Sequence, residues 1–329
     1  MLKKWINNIF KFTLLFASVI LLSACSTAKE EKVVIYSSGT DYENEFYLER
    51  LEEEFPEYEI VLEYLNTGSH AAKLKAEGSN SEADITLDLE DVYLDLIKDN
   101  LADLSEYDLS IYADDLIDQD EKYLPAMRNG GSITLNMDMF EEKGLEIPES
   151  YEDLLNEEYE NLIAMPNPKS SGTGYVFLKS LVNSWGEEEA FEYFDKLSEN
   201  ILQFSSSGSG SVNSLIQGEV AIALGMTSQS VRAINDGSNL KIIFFEEGSP
   251  YNAYGHGIIK GKEDREAVKE VFDFFYTDII EENYEKFYPE KLYKNKEANT
   301  KNYPENIPYA DMSGNTPEER ERLLEKWMH

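Results

Sequence analysis

A 329-residue chain in which 65 acids face 29 bases, for a net charge of −36, is too acidic to bind nucleic acid or anionic lipid through a basic patch. A single cysteine rules out an internal disulfide, and the chain is longer than one hydrophobic core usually covers, so two lobes are expected.

The N-terminus reads as an export signal. Lys3, Lys4 and Lys11 make a cationic start, followed by an apolar run from Phe12 to Leu22. An apolar run of about ten residues is too short to span a bilayer but suits a signal peptide's central region. Leu22-Ser23-Ala24-Cys25 then resembles the bacterial lipobox. That resemblance implies cleavage before Cys25 and acylation of it, and two or three acyl chains hold a protein at a membrane surface where one does not. Removing residues 1–24, which hold three lysines and no acids, takes the net charge from −36 to −39. Most of these acids lie on helix faces such as Glu49 to Glu57 and Glu187 to Glu192, where they read as solvated surface.

Beyond a short small-and-charged tether, β-type runs alternate with amphipathic ones. Strands are predicted over 33–38, 59–66, 83–89, 132–137, 162–166, 201–206, 220–226, 240–246 and 255–260. Helices are predicted over 43–55, 69–77, 174–185, 187–199, 211–217, 228–236 and 263–276. This alternation argues for an α/β fold with mainly parallel sheets flanked by helices. Two glycine-bearing stretches, Arg128-Asn129-Gly130-Gly131 and Glu247-Gly248-Ser249-Pro250, precede short strands and read as hinge crossings. The expected domains are therefore a signal peptide at 1–24, a lipidated tether at 25–32, lobe 1 at 33–128 and 255–329, and lobe 2 at 129–254.

Several of these segments resemble type II periplasmic-type binding proteins. Val33 to Ser38 is similar to that family's first strand, and Glu77 with Ala83-Asp84-Ile85 to its Glu-loop-Ala-Asp-Ile element. Gly131 to Phe140, with its Asn136-Met137-Asp138, resembles the strand that crosses to the second lobe, and Gly144-Leu145-Glu146-Ile147-Pro148 the turn after it. The resemblance is closest to the branch of ferric-iron, 2-aminoethylphosphonate and sugar-phosphate binders. It implies a two-lobed clamp joined by two hinge strands, with no catalysis and no cofactor. It also implies a monomeric lipid-anchored receptor that hands a small solute to ABC permease subunits, with a Gram-positive exterior favoured as its setting. A signalling receptor or cell-wall adhesin on the same fold is the alternative without transport.

Ligands of open parallel sheets sit beyond the carboxyl ends of the strands. Here those ends carry Ser37-Ser38-Gly39, Ser69, Ser170-Ser171-Gly172-Thr173-Gly174-Tyr175, the Ser205 to Ser211 serine–glycine patch, and Thr227-Ser228. Glycines and hydroxyls opening a helix offer unpaired N–H and O–H donors and suit a phosphate or phosphonate. In the phosphonate and sugar-phosphate binders a Ser-Gly-Thr-Gly-type loop holds the anion, which the resemblance carries onto Ser171, Gly172, Thr173 and Gly174. Apart from Lys169 these loops hold no arginine or lysine, so dipoles are expected to bind the anion, with Tyr251 beside it.

Two other ligand classes stay open. Ferric iron needs phenolate and carboxylate oxygens; no adjacent tyrosine pair occurs, and Tyr251, Tyr254 and His256 are the set that could imitate one. A cation such as a polyamine or thiamine could meet Asp84, Asp88 and Glu90 and stack on Tyr36, Tyr175 or Tyr251. An enzyme should show a nucleophile with its base, or a metal cluster. The chain has three histidines and no Gly-x-Ser-x-Gly, His-Glu-x-x-His or Gly-x-x-x-x-Gly-Lys-Ser/Thr.

Overall fold

The computed structural model describes residues 31–297 and 300–329. The predicted signal and the Cys25 lipidation site lie outside the described residues. Glu31 and Lys32, expected in the tether, are already the first residues of strand β1 (Glu31–Ser37).

β1 is the hub of the first lobe because its alternate residues Val33 and Ile35 are fully buried. It pairs in parallel with β2 (Tyr58–Tyr64) and β3 (Ile85–Glu90), Ile35 lying opposite Leu62 on one side and Ile85 on the other. The sheet continues through β9 (Tyr251–Ile258) to β4 (Leu124–Asn136), both joined in antiparallel fashion. β4 then leaves the first sheet. Its residues 124–130 pair with β9, whereas 131–136 pair with β7 (Ile222–Met226) and β8 (Leu240–Ile243). β5 (Ile163–Pro166) and β6 (Ile201–Ser205) extend the second lobe in parallel with β7. Among the described residues the strand order is β2-β1-β3-β9-β4-β7-β5-β6, with β8 on the other side of β4.

The helices that follow the strands cover both sheets: α1 (Asp41–Glu54), α2 (Thr67–Glu77), α3 (Asp91–Ile97), α4 (Met137–Lys143), α5 (Gly172–Trp185), α6 (Glu187–Leu197), α7 (Gly210–Ile216) and α8 (Thr227–Asn235). α9 (Glu266–Phe274) runs through one π turn into α10 (Ile280–Lys286). Each lobe has its own core. Ile35, Leu51, Leu87, Val271 and Phe275 belong to the first, and Leu154, Phe177, Phe194 and Leu224 to the second. Burying each of these side chains contributes on the order of 2 kcal/mol.

Two departures from the sequence reading concern the joint between lobes. The crossing expected at 128–131, ahead of a strand beginning at Ser132, is itself continuous strand, because β4 already begins at Leu124. Gly130 and Gly131 are required there by close approach: a Cβ on Gly130 would lie 2.7 Å from Glu290 Oε2, and one on Gly131 2.8 Å from the Phe177 ring. Glu290 is buried, accepts the Gly130 N–H at 2.8 Å and the hydroxyls of Tyr303 and Tyr309, and its carboxyl is pushed up to about 7 by burial. The second departure is the C-terminal helix α11 (Pro317–Lys326), which the sequence grouping 255–329 placed with the first lobe. Leu323 and Trp327, one helical turn apart, pack into the second core, Trp327 at 5.3 Å ring separation from Phe194. The segment leading to α11 runs along the joint, where Ser249 and Pro308–Ala310 exchange backbone hydrogen bonds.

Candidate functional site

On the second lobe, three loops expected to bind a ligand come together. α5 starts directly after β5, and Gly174 lets its first turn sit on the Pro166 carbonyl, where a Cβ would overlap backbone. Ser171 occupies the N-cap with extended backbone (φ −136°, ψ 128°), yet its side chain makes no capping bond. Thr173 faces Gly208 of the serine–glycine loop so closely that a Cβ on Gly208 would overlap its Oγ1. Thr227, at the start of α8, is fully buried, and its hydroxyl has no hydrogen-bond partner among the described residues. Ser228 donates to Asn129 Oδ1 at 3.2 Å, tying the same helix start to β4.

Two of the three hydroxyls expected from the first lobe, those of Ser37 and Ser38, are otherwise engaged. Ser37 donates to Asn44 Oδ1 at 2.7 Å and accepts the Gly39 N–H at 3.0 Å, and Asn44 returns a bond to the Gly39 carbonyl. Ser38 contacts the Leu65 carbonyl and His70 Nδ1. Ser37 therefore folds the β1–α1 loop, and Ser38 ties that loop to the end of β2 and to α2. Ser69 is exposed, and its N–H is capped by Asn66 Oδ1 at 3.0 Å.

The first lobe instead brings carboxylates. Glu43 is 1% exposed; its Oε2 accepts from both the N–H and the hydroxyl of Thr40, and its Oε1 has no partner. Burial, with the Asp88 charge adding to it, pushes the Glu43 carboxyl up to about 8. Asp88 sits at φ +52° in a register shift of β3, an unfavourable backbone region for a non-glycine residue. Its Oδ1 meets His256 Nε2 at 2.9 Å and the Tyr47 hydroxyl at 3.3 Å, while Oδ2 is buried without a partner. The bulge also separates the acids that a regular strand would align. Asp84 pairs with Arg265 and the Val34 N–H at the opposite end of β3.

Glu90, the last residue of β3, reaches furthest into the second lobe. A Cβ on Gly172 would overlap Glu90 Oε1 and lie 3.3 Å from Asn252 Nδ2. The other oxygen of Glu90 accepts from Arg320 Nη1 of α11. Glu90, named from the sequence as a possible partner of a cation, instead lies against Gly172, while Asn252 and Arg320 escape a reading confined to strand ends. Arg320 is about 150 residues from α5, and only its spacing to Leu323 and Trp327 marks it as the edge of a helix face.

The alternative ligand sets are dispersed. The Tyr251 ring packs under Arg128 at 4.5 Å, the Tyr254 hydroxyl accepts from Asn252, and His256 is buried against Asp88 and Phe275. Among the described residues no cluster of three or more His, Cys, Asp or Glu is arranged to hold a metal ion. The tyrosines proposed to stack on a cation do so on the protein's own: Tyr36 under Lys73 at 4.0 Å, Tyr251 under Arg128, and Tyr175 under Arg320 at 4.6 Å. A cavity of about 770 Å³ lies away from the strand ends, between Tyr151, Trp185 and the acids of α6. Another of about 420 Å³ flanks the joint, between Asp91, Tyr251 and residues 310–315.

Residues 87–314 match the family described as bacterial extracellular solute-binding protein. A Salmonella typhi protein, provisionally named a 2-aminoethylphosphonate-binding periplasmic protein, is 23% identical over 271 residues, covering 79% of this chain and 78% of the relative. The periplasmic binding protein AfuA of Actinobacillus pleuropneumoniae, solved with fructose-6-phosphate bound, superposes with a TM-score of 0.73 at 23% identity, covering 91% of this chain and 98% of AfuA. Iron-bound HitA of Pseudomonas aeruginosa gives the same score at 16% identity, covering 89% and 98%. These neighbours show the type II binding-protein fold.

Proposed function

The chain belongs to the bacterial extracellular solute-binding proteins, the substrate receptors of ABC transporters rather than enzymes, and we propose that it captures a small phosphonate or organophosphate-type anion at the start of α5. The donors are the Gly172 to Gly174 amides and the hydroxyls of Ser171 and Thr173, with Thr227 and Ser228 beside them. The observation that carries this reading is the placement of Glu90. A carboxylate already lies against Gly172 at the start of α5, and a buried hydroxyl without a partner among the described residues, Thr227, belongs to the same lobe. Unpaired amides and the helix dipole favour a negative group at such a place. The names of the Salmonella relative and of AfuA's bound sugar phosphate agree with this ligand class.

Asp88 Oδ2, buried and without a partner among the described residues, favours a substrate that also carries a donor or cationic group, as an aminophosphonate does. The lobes then act as a clamp, and substrate contacts from both sides stabilise the closed form. Acylation at Cys25 anchors the receptor outside a Gram-positive membrane next to its permease, as a monomer. No helix among the described residues is long and apolar enough to cross a membrane.

The test is a thermal-shift series with methylphosphonate, 2-aminoethylphosphonate, glucose 6-phosphate, inorganic phosphate, ferric citrate, thiamine and spermidine. A ligand present at a hundred times its dissociation constant stabilises the folded state by about 2.7 kcal/mol. Stabilisation by at least one phosphorus compound is expected. A response to ferric citrate, thiamine or spermidine with none to any phosphorus compound overturns the reading.

A further inference from the structure

We propose that Arg320 is the charged, specificity-determining partner of the substrate's anion, and that Glu90 holds that anion's place in the unliganded molecule. The inference rests on the anionic reading of the α5 site given above. It adds a charged residue from the C-terminal helix to a site otherwise built of amides and hydroxyls.

Arg320 belongs to the second lobe by its attachment. α11 is held there by Leu323 and Trp327 in the core, by Lys179 with Glu319, and by Arg322 with Glu187 at 2.7 Å. From that base the side chain enters the space between the lobes and is 7% exposed. Its guanidinium carbon lies 4.6 Å from the Tyr175 ring, in the first turn of α5, and 4.9 Å from the Tyr93 ring of α3 in the first lobe. Nη1 donates to Glu90, and Nε is buried with no partner among the described residues. Glu90, 2% exposed, bonds this guanidinium through one carboxylate oxygen and lies against Gly172, at the start of α5, with the other.

One carboxylate thus bonds an arginine while lying against a helix start, and the Nε of that arginine is left without a partner among the described residues. A tetrahedral phosphonate has a third oxygen that a carboxylate lacks, and a guanidinium can present two parallel donors to it. When the lobes part, Glu90 leaves with the first lobe. Arg320 stays on the second, desolvated on its Tyr175 face and next to the unpaired amides of α5. A guanidinium in that position gains from pairing with an incoming anion, because a buried charge without a partner is costly. Substrate therefore competes with Glu90 for the same donors.

Calorimetric titration of the mature chain with methylphosphonate, 2-aminoethylphosphonate and glucose 6-phosphate tests this, using wild type, Glu90→Gln, Arg320→Gln, the double variant, and Thr173→Asp as the control for the α5 site. Circular dichroism checks folding, and the double variant keeps the test valid if a lone buried charge destabilises either single variant. For whichever phosphorus anion binds, Glu90→Gln is expected to tighten binding about tenfold and Arg320→Gln to weaken it at least tenfold. In the Arg320→Gln background the gain from Glu90→Gln should vanish. If wild type binds such an anion, Thr173→Asp abolishes it, and the Arg320 and Glu90 variants bind as wild type does, the inference falls while the α5 site stands. Equal weakening by Glu90→Gln and Arg320→Gln makes the pair a structural strut and also overturns it. If wild type binds none of the three anions, the anionic reading itself fails and takes this inference with it.

Discussion

Replacing Glu43 by Gln should make the protein's stability less sensitive to alkaline pH. The carboxyl is 1% exposed, and its folded value is about 8 against 4.5 for the free group. An acid whose value is raised on folding keeps its full contribution below the unfolded value and loses it as pH climbs towards the folded one. The relevant window is therefore pH 4.5 to 8. A shift of this size, at about 1.4 kcal/mol per unit, amounts to roughly 4–5 kcal/mol of stability lost across the window. Glutamine imitates the protonated acid: its carbonyl oxygen can still accept from the N–H and hydroxyl of Thr40, which now bond Oε2. Urea unfolding followed by circular dichroism should find the variant and wild type nearly equal at pH 4.5. At pH 8.5 the variant should be more stable by about 4 kcal/mol. Glu290 and Asp91, whose carboxyls are also raised by burial, to about 7, give both proteins a common alkaline decline that cancels in the difference. Parallel stability curves from pH 4.5 to 8.5 would refute the argument that Glu43 is protonated in the folded state.

Thr173→Asp places a carboxylate on the first turn of α5 and should abolish the thermal response to phosphorus anions while leaving the ligand-free melting temperature within a few degrees, since an acid there suits the helix dipole; a retained response moves the site elsewhere. Trp327→Ala empties a fully buried position whose indole N–H has no partner, so the loss is one of packing, about 3–5 kcal/mol by chemical denaturation. A loss below about 1 kcal/mol would mean that α11 is not anchored to the second core. Cys25→Ser should abolish acylation and shift the protein from the detergent phase to the aqueous phase on Triton X-114 partitioning, and persistent lipid labelling would contradict the lipobox reading.

The strands and most helices were legible because apolar periodicity reports burial, and burial is what the sheets enforce. β1 with its fully buried Val33 and Ile35 is a clear case. The hinge portions of β4 and β9 were harder to read. Arg128 to Gly131 carries polar and glycine residues because Glu290, Ser249 and Phe177 press on the backbone there, a cause invisible without the fold. At the site, the start of α5 could be read from serine and glycine chemistry. The β1–α1 serines carry the same local signal, but Ser37 turns inward to hold its own loop and Ser38 bonds the Leu65 carbonyl and His70. Arg320 and Glu90 meet across about 230 residues of sequence, through helix docking that no local pattern encodes.

A crystal structure of the protein with a bound phosphonate or sugar phosphate decides whether the anion sits at the start of α5. Phosphorus-bound oxygens are expected within hydrogen-bonding distance of the Thr173 and Gly174 amides and of the Thr173 hydroxyl. An anion bound away from α5, or a cation bound among Tyr251, Tyr254 and His256 with the start of α5 still facing Glu90, would contradict that placement.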